Sequence, residues 1–99
     1  MSACEAIALP AIYELLDWQE RREVRAAYSK QQDGKCYYCK SALTAEPPSR
    51  IKSVQINWRR FPRNFLRHPV HLHHDHTTGL TIGAVHALCN AVLWQVEGE

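Results

Sequence analysis

The sequence predicts an α+β fold: N-terminal helices, then a short hairpin and a closing helix pinned together by paired cysteine and histidine ligands. Three observations predict it. The first third of the chain is rich in Ala, Glu, Arg, Leu and Gln, with no Gly before Gly34. Val70 to His74 and Leu80 to Ile82 are short β-like runs separated by small polar residues and Gly79. Cys36-x2-Cys39 is answered far downstream by His86-x2-Cys89. At 99 residues there is room for one domain and a single core, which excludes large catalytic folds. A chain of this size often needs a metal, a disulfide or a partner to hold it together.

The elements follow in order. Residues 1–34 form the helical N-terminal part, with a short helical piece expected from Ala11 to Leu16. Asp17-Trp18-Gln19-Glu20 has the form of a capping box, an acceptor at the N-cap and a Glu three residues on. The helix it starts is predicted to run to about Gln32, with Val24, Ala27, Tyr28 and Gln31 at helical spacing and Gly34 supplying the left-handed stop. Residues 44–69 hold four of the five prolines and no sustained period, so they read as mostly loop. Asp75 to Gly79 suits a turn between the two strands, with Asp75 organising it. Ala87 to Val96 is the closing helix, with Leu88, Val92 and Val96 on one stripe.

Net charge is only +2, but its distribution is uneven. From Pro47 to His74 there is no acidic residue, while Arg50, Lys52, Arg59, Arg60, Arg63 and Arg67 all fall there, half of the chain's 12 Lys and Arg. With Trp58, Phe61 and Phe65 interleaved, this basic loop predicts a surface facing nucleic acid, with Arg59, Arg60, Arg63 and Arg67 contacting phosphates. The alternative is a solvated loop whose aromatics cover a small core. No apolar run reaches the roughly 18 to 20 residues of a membrane span. The opening Met1 to Leu9 carries Glu5, lacks a basic region and is followed by Pro10, so no secretory signal is expected and the predicted location is cytoplasmic.

In a reducing compartment a close cysteine pair reads better as a metal knuckle than as a disulfide. Cys36, Cys39, His86 and Cys89 supply Cys3His, a suitable tetrahedral set for structural Zn2+. The alternative, a redox dithiol, lacks a surrounding βαβ pattern. Cys4 is left without a partner.

Five of the six histidines lie between His68 and His76. The string His71-Leu72-His73-His74-Asp75-His76 has the H-x-H-x-D-H pattern of metallo-β-lactamase-fold hydrolases, but that fold needs more than twice this chain. A different resemblance covers more of the sequence. His73 to Asn90, read as HHDHTTGLTIGAVHALCN, resembles the signature of HNH nucleases of the recombination endonuclease VII type. Gln32-Asp33-Gly34-Lys35-Cys36-Tyr37-Tyr38-Cys39 is similar to that family's upstream Q-x-G-x-C-x-x-C. Together they span about Tyr28 to Leu93, apart from residues 44–69. The chain departs from the family pattern at His73 (usually Asp), His86 (usually Cys), Ile82 (often Arg) and Leu93 (Glu in endonuclease VII itself).

The resemblance implies a zinc-pinned ββα-metal, or His-Me finger, unit over residues 70–96 within a single nuclease domain. It implies a metal-dependent DNA endonuclease that leaves 5′-phosphate and 3′-hydroxyl ends. By this resemblance, His74 is the general base, His73 and Asn90 hold a catalytic divalent cation (Mg2+ or Mn2+), and His76 approaches the phosphate. A homodimer through the N-terminal helices is also implied, and a phage or prophage origin. Adjacent residues of a regular strand face opposite ways, so for His73 and His74 to serve one site the strand must end or twist between them. Two rivals stand beside this reading. One is a non-catalytic zinc-knuckle module that only binds nucleic acid, which would not need His74 or Asn90. The other is a zinc hydrolase of a small substrate using His71, His73 and His76, which would leave the basic loop idle.

Overall fold

A computed structural model describes residues 9–96, Val96 through its backbone alone. Cys4, and most of the stretch read for a secretory signal, lie outside the described residues. The architecture is α+β: α1 (Trp18–Gln31), α2 (Ser49–Lys52), an antiparallel hairpin of β1 (Val70–His74) and β2 (Thr81–His86), and α3 (Ala87–Val96). Among the described residues, no helix is long and apolar enough to cross a membrane.

The capping box forms as its residues dictate. Glu20 N–H donates to Asp17 Oδ1 at 2.8 Å, and Asp17 N–H donates to Glu20 Oε1 at 3.0 Å. Val24 and Tyr28, one turn apart, bury the inner face of α1 against the hairpin. The chain then turns through Asp33 and Gly34, both at positive φ (58° and 73°), as the Gly at that position predicts. The helical piece expected over Ala11 to Leu16 is a single 3-10 turn, Tyr13–Leu15. The segment before it behaves as a strand instead. Ile12 bridges Leu80, Thr81 N–H donates to Ala11 C=O at 2.8 Å, and Tyr13 N–H donates to Gly79 C=O at 2.9 Å. Tyr28 anchors the same corner through its hydroxyl and Thr81 Oγ1, 2.9 Å apart.

The second strand is longer than the sequence predicts, running on through Gly83, Ala84, Val85 and His86 directly into α3. Those four residues are all buried, so the alternation that marks a half-exposed strand is missing. Between the hairpin strands, Asp75 Oδ1 accepts from Thr77 and Thr78 N–H at 2.7 and 3.0 Å, the turn-forming role expected of it. These bonds to the charged form hold the Asp75 carboxyl below its usual range.

Residues 44–69 are not all loop. They contain α2 and a 3-10 turn at Trp58–Arg60, and α3 pins them from beneath. Gln95 clamps the segment by accepting from Asn57 N–H (2.9 Å) and donating to Gln55 C=O (2.8 Å).

Candidate metal centre and histidine site

The four knuckle residues converge. Cys36, Cys39, His86 and Cys89 are buried, and their ligand atoms lie within 4.8 Å of one another, so they could hold a metal ion such as zinc. Each local geometry has a cause. Lys40 at φ 70° closes a tight turn in which Cys36 N–H donates to Ser41 C=O (2.8 Å) and Lys40 N–H to Cys36 C=O (3.0 Å). That turn also aims Cys39 N–H at Cys36 Sγ, 3.5 Å away. His86 ends β2 and Cys89 lies in the first turn of α3, so strand and helix each present one ligand without an intervening loop.

His86 Nε2 stands 2.9 Å from Ala42 C=O. A carbonyl only accepts, so Nε2 carries the proton and Nδ1 turns its lone pair toward the sulfurs. Nδ1 is 3.4 Å from Cys39 Sγ and 3.6 Å from Cys89 Sγ. Tetrahedral zinc with ordinary bond lengths separates sulfur and nitrogen ligands by about 3.5 Å. The Cys89 side chain, chiefly, holds the Cys36 thiol down to about 4, against an opposing burial effect. The same contact pushes Cys89 up, so one thiolate is favoured at the expense of its neighbour. No disulfide joins Cys36, Cys39 or Cys89.

Two side chains outside the cluster hold it together. Gln32 donates to Lys35 C=O (2.7 Å) and Ala84 C=O (3.0 Å), and accepts from Ala84 N–H (2.9 Å). Tyr37 N–H donates to the same Ala84 carbonyl at 2.9 Å. The knuckle and the end of α1 are thus hydrogen-bonded to the outer edge of β2. Arg50 donates to Cys39 C=O at 2.9 Å, and Lys52 pairs with Glu46. Two of the six cations expected to face nucleic acid are therefore engaged elsewhere, through folding the sequence pattern does not reveal. Arg59, Arg60, Arg63 and Arg67 are exposed.

The histidines lie at the junction of β1 and α3. Pairing along the hairpin runs His71 with Val85, Leu72 with Ala84 and His73 with Gly83, then slips so that His74 faces Thr81 and Ile82 is the extra residue. This bulge lies opposite the step from His73 to His74, with its extra residue on β2. His71 and His73 share a face of β1 by their spacing. Asn90, in the first turn of α3, meets that face: its Nδ2 lies 3.1 Å from His71 Nδ1. His73 and Asn90 are only 4% and 6% exposed. Asn90 Oδ1 is buried with no hydrogen-bond partner.

His74 stacks on Tyr13, with ring centroids 3.9 Å apart and planes within 10°. The other face of Tyr13 is covered by the Arg21 guanidinium at 4.1 Å. His76 lies 4.9 Å from His74 and 5.5 Å from Trp94, which follows Asn90 by one turn of α3. Burial chiefly, then the charges of His76 and His73, lowers His74 below the ordinary imidazole value. Phe61 and Phe65 pack on Trp94, and Phe65 also meets His71 edge-on at 4.8 Å. The interleaved aromatics thus seat the basic segment beside the histidines, while Trp58 is 43% exposed. Sequence reasoning passed over Tyr13 and Trp94 as parts of this site and placed His71 only in the rival hydrolase reading, because each joins it through tertiary contacts. No family model, curated protein or solved structure matches the chain.

Proposed function

We propose that this chain is a metal-dependent DNA endonuclease of the HNH class, built on a ββα-metal unit with a structural zinc. The observation that carries the reading is the meeting of Asn90 with the histidine-bearing strand β1. A helix-borne amide with a buried, donorless oxygen lies against the strand that bears His73 and His74. Such an oxygen costs roughly 1–3 kcal/mol if nothing completes it, and a cation would complete it. The donor set fits a divalent ion: His73 and Asn90 would hold Mg2+ or Mn2+, which when bound supplies positive charge to the scissile phosphate.

The remaining chemistry belongs to the side chains. His74, kept neutral by burial and by neighbouring imidazoles, accepts the proton of the attacking water at a ring nitrogen. The water oxygen forms the new bond to phosphorus as the bond to the 3′ oxygen breaks, and the departing 3′ oxygen takes a proton from solvent, which leaves a 5′-phosphate and a 3′-hydroxyl. Tyr13 limits rotation of the His74 ring by stacking on its face. Arg59, Arg60, Arg63 and Arg67 hold the DNA backbone in register, and the Phe61 and Phe65 anchors keep those cations beside the site.

Incubation of the zinc-loaded protein with supercoiled plasmid tests this. Relaxed or linear DNA should accumulate with Mg2+ or Mn2+ and not without added divalent ion. A protein that retards the plasmid in a gel yet leaves it intact with either ion would be the non-catalytic zinc-knuckle module.

A further inference from the structure

We infer that His71 is a positioning residue that fixes which end of the Asn90 amide faces the cation. The inference rests on the reading of Asn90 as a cation ligand. A carboxamide has two ends of nearly equal shape, and only its oxygen can ligate a metal; the NH2 end would present protons to it. Something must therefore select the rotamer. The structure assigns that selection to the imidazole of His71, whose Nδ1 stands 3.1 Å from Asn90 Nδ2.

An amide NH2 only donates, so Nδ1 must accept and the ring proton must sit on Nε2. Phe65 packs edge-on against the ring at 4.8 Å and restricts its turning. If the Asn90 amide turned over, Oδ1 would meet the Nδ1 lone pair, and repulsion would reverse it. The end state is the one observed, with Nδ2 bonded and Oδ1 buried without a donor.

Phe65 belongs to the segment that carries Arg63 and Arg67. The segment proposed to offer cations to the DNA backbone therefore also packs on the ring that aims the cation ligand.

The test is Mn2+ binding to the zinc-loaded chain, followed by electron paramagnetic resonance without DNA. Four proteins are compared: wild type, Asn90→Ala, His71→Phe and His71→Asn. Phe keeps the ring volume but has no acceptor, whereas Asn places an acceptor near the position of Nδ1. His71→Phe should lose roughly 10- to 100-fold in Mn2+ affinity, the usual cost of removing an outer partner of a metal ligand. His71→Asn should recover most of that loss. If wild type binds Mn2+, Asn90→Ala does not, and His71→Phe binds like wild type, the role of His71 is wrong while the ligand reading stands. If wild type and Asn90→Ala bind equally or not at all, the ligand reading falls and takes this inference with it. Nitrogen-15 shifts of the His71 ring in wild type supply a check that needs no variant. The Nε2–H tautomer supports the inference, and the Nδ1–H tautomer overturns it.

Discussion

Gly83→Ala is a one-methyl test of how β2 is seated on the metal knuckle. Gly83 is buried, and a Cβ there would stand 2.7 Å from Gln32 Oε1 and 3.0 and 3.1 Å from Tyr37 Cβ and Cδ1. Tyr37 lies between the two knuckle cysteines, with its N–H held by Ala84, so it has little room to retreat. The Gln32 side chain must therefore move, and with it go three hydrogen bonds, two to Ala84 and one to Lys35. Net losses of about 0.5–1.5 kcal/mol per bond, or an overpacking strain of about 1–3 kcal/mol if the side chain stays, put the total near 2–4 kcal/mol. For a chain of this length each kcal/mol moves the melting temperature by about 4–8 °C, so the zinc-loaded variant should melt roughly 10–25 °C lower. Differential scanning calorimetry of both proteins reads the shift. A Gly83→Ala protein melting within a degree or two of wild type would mean that Gln32 and Tyr37 do not clamp β2.

Three further outcomes follow from the same structure. Cys36→Ser or Cys89→Ser should lose tightly held zinc and unfold the domain, because metal binding is part of the folding free energy of so small a core; metal analysis and circular dichroism check this. Replacing Arg59, Arg60 and Arg63 together by Gln should weaken binding to every DNA sequence and flatten its salt dependence, whereas an unchanged salt slope would make the segment a packing element only. His71 and His74 are both lowered by burial, so below about pH 6.5 the unfolded chain binds more protons than the folded one. Stability from these groups is therefore full above that pH and lost as pH falls through the depressed folded values; urea midpoints should drop from pH 7 to pH 5, and less steeply in His74→Asn.

Features encoded locally could be read from the residues. The capping box at Asp17 and Glu20, the left-handed Gly34, the Asp75 turn and the span of α3 each depend on a few neighbouring residues, and each is found in place. The Cys3His set was legible because the two-residue spacing within each pair is one that lets both members reach a common point. What escaped was long-range. The Ala11–Tyr13 segment reads as helix by composition but pairs with Leu80 and Thr81, because the open edge of the hairpin offers backbone partners. The end of β2 shows no alternation because both of its faces are covered. Arg50 and Lys52 look like free cations until the fold brings Cys39 C=O and Glu46 to them. The register shift opposite His73 and His74 comes from Ile82 on β2, which the histidine string itself does not announce. The pairing of His71 with Asn90 had no sequence signal at all.

The central claim, that His74 is the base of a hydrolytic site, is tested most directly by single-turnover cleavage of plasmid DNA at saturating protein and Mg2+. His74→Ala is compared with wild type at matched zinc content. The variant should bind DNA as wild type does and cleave roughly 10^2 to 10^4 times more slowly, the loss expected when a general base is removed. Cleavage by His74→Ala at the wild-type rate, with His73→Ala or His76→Ala inactive, would contradict the assignment and give the base to another histidine.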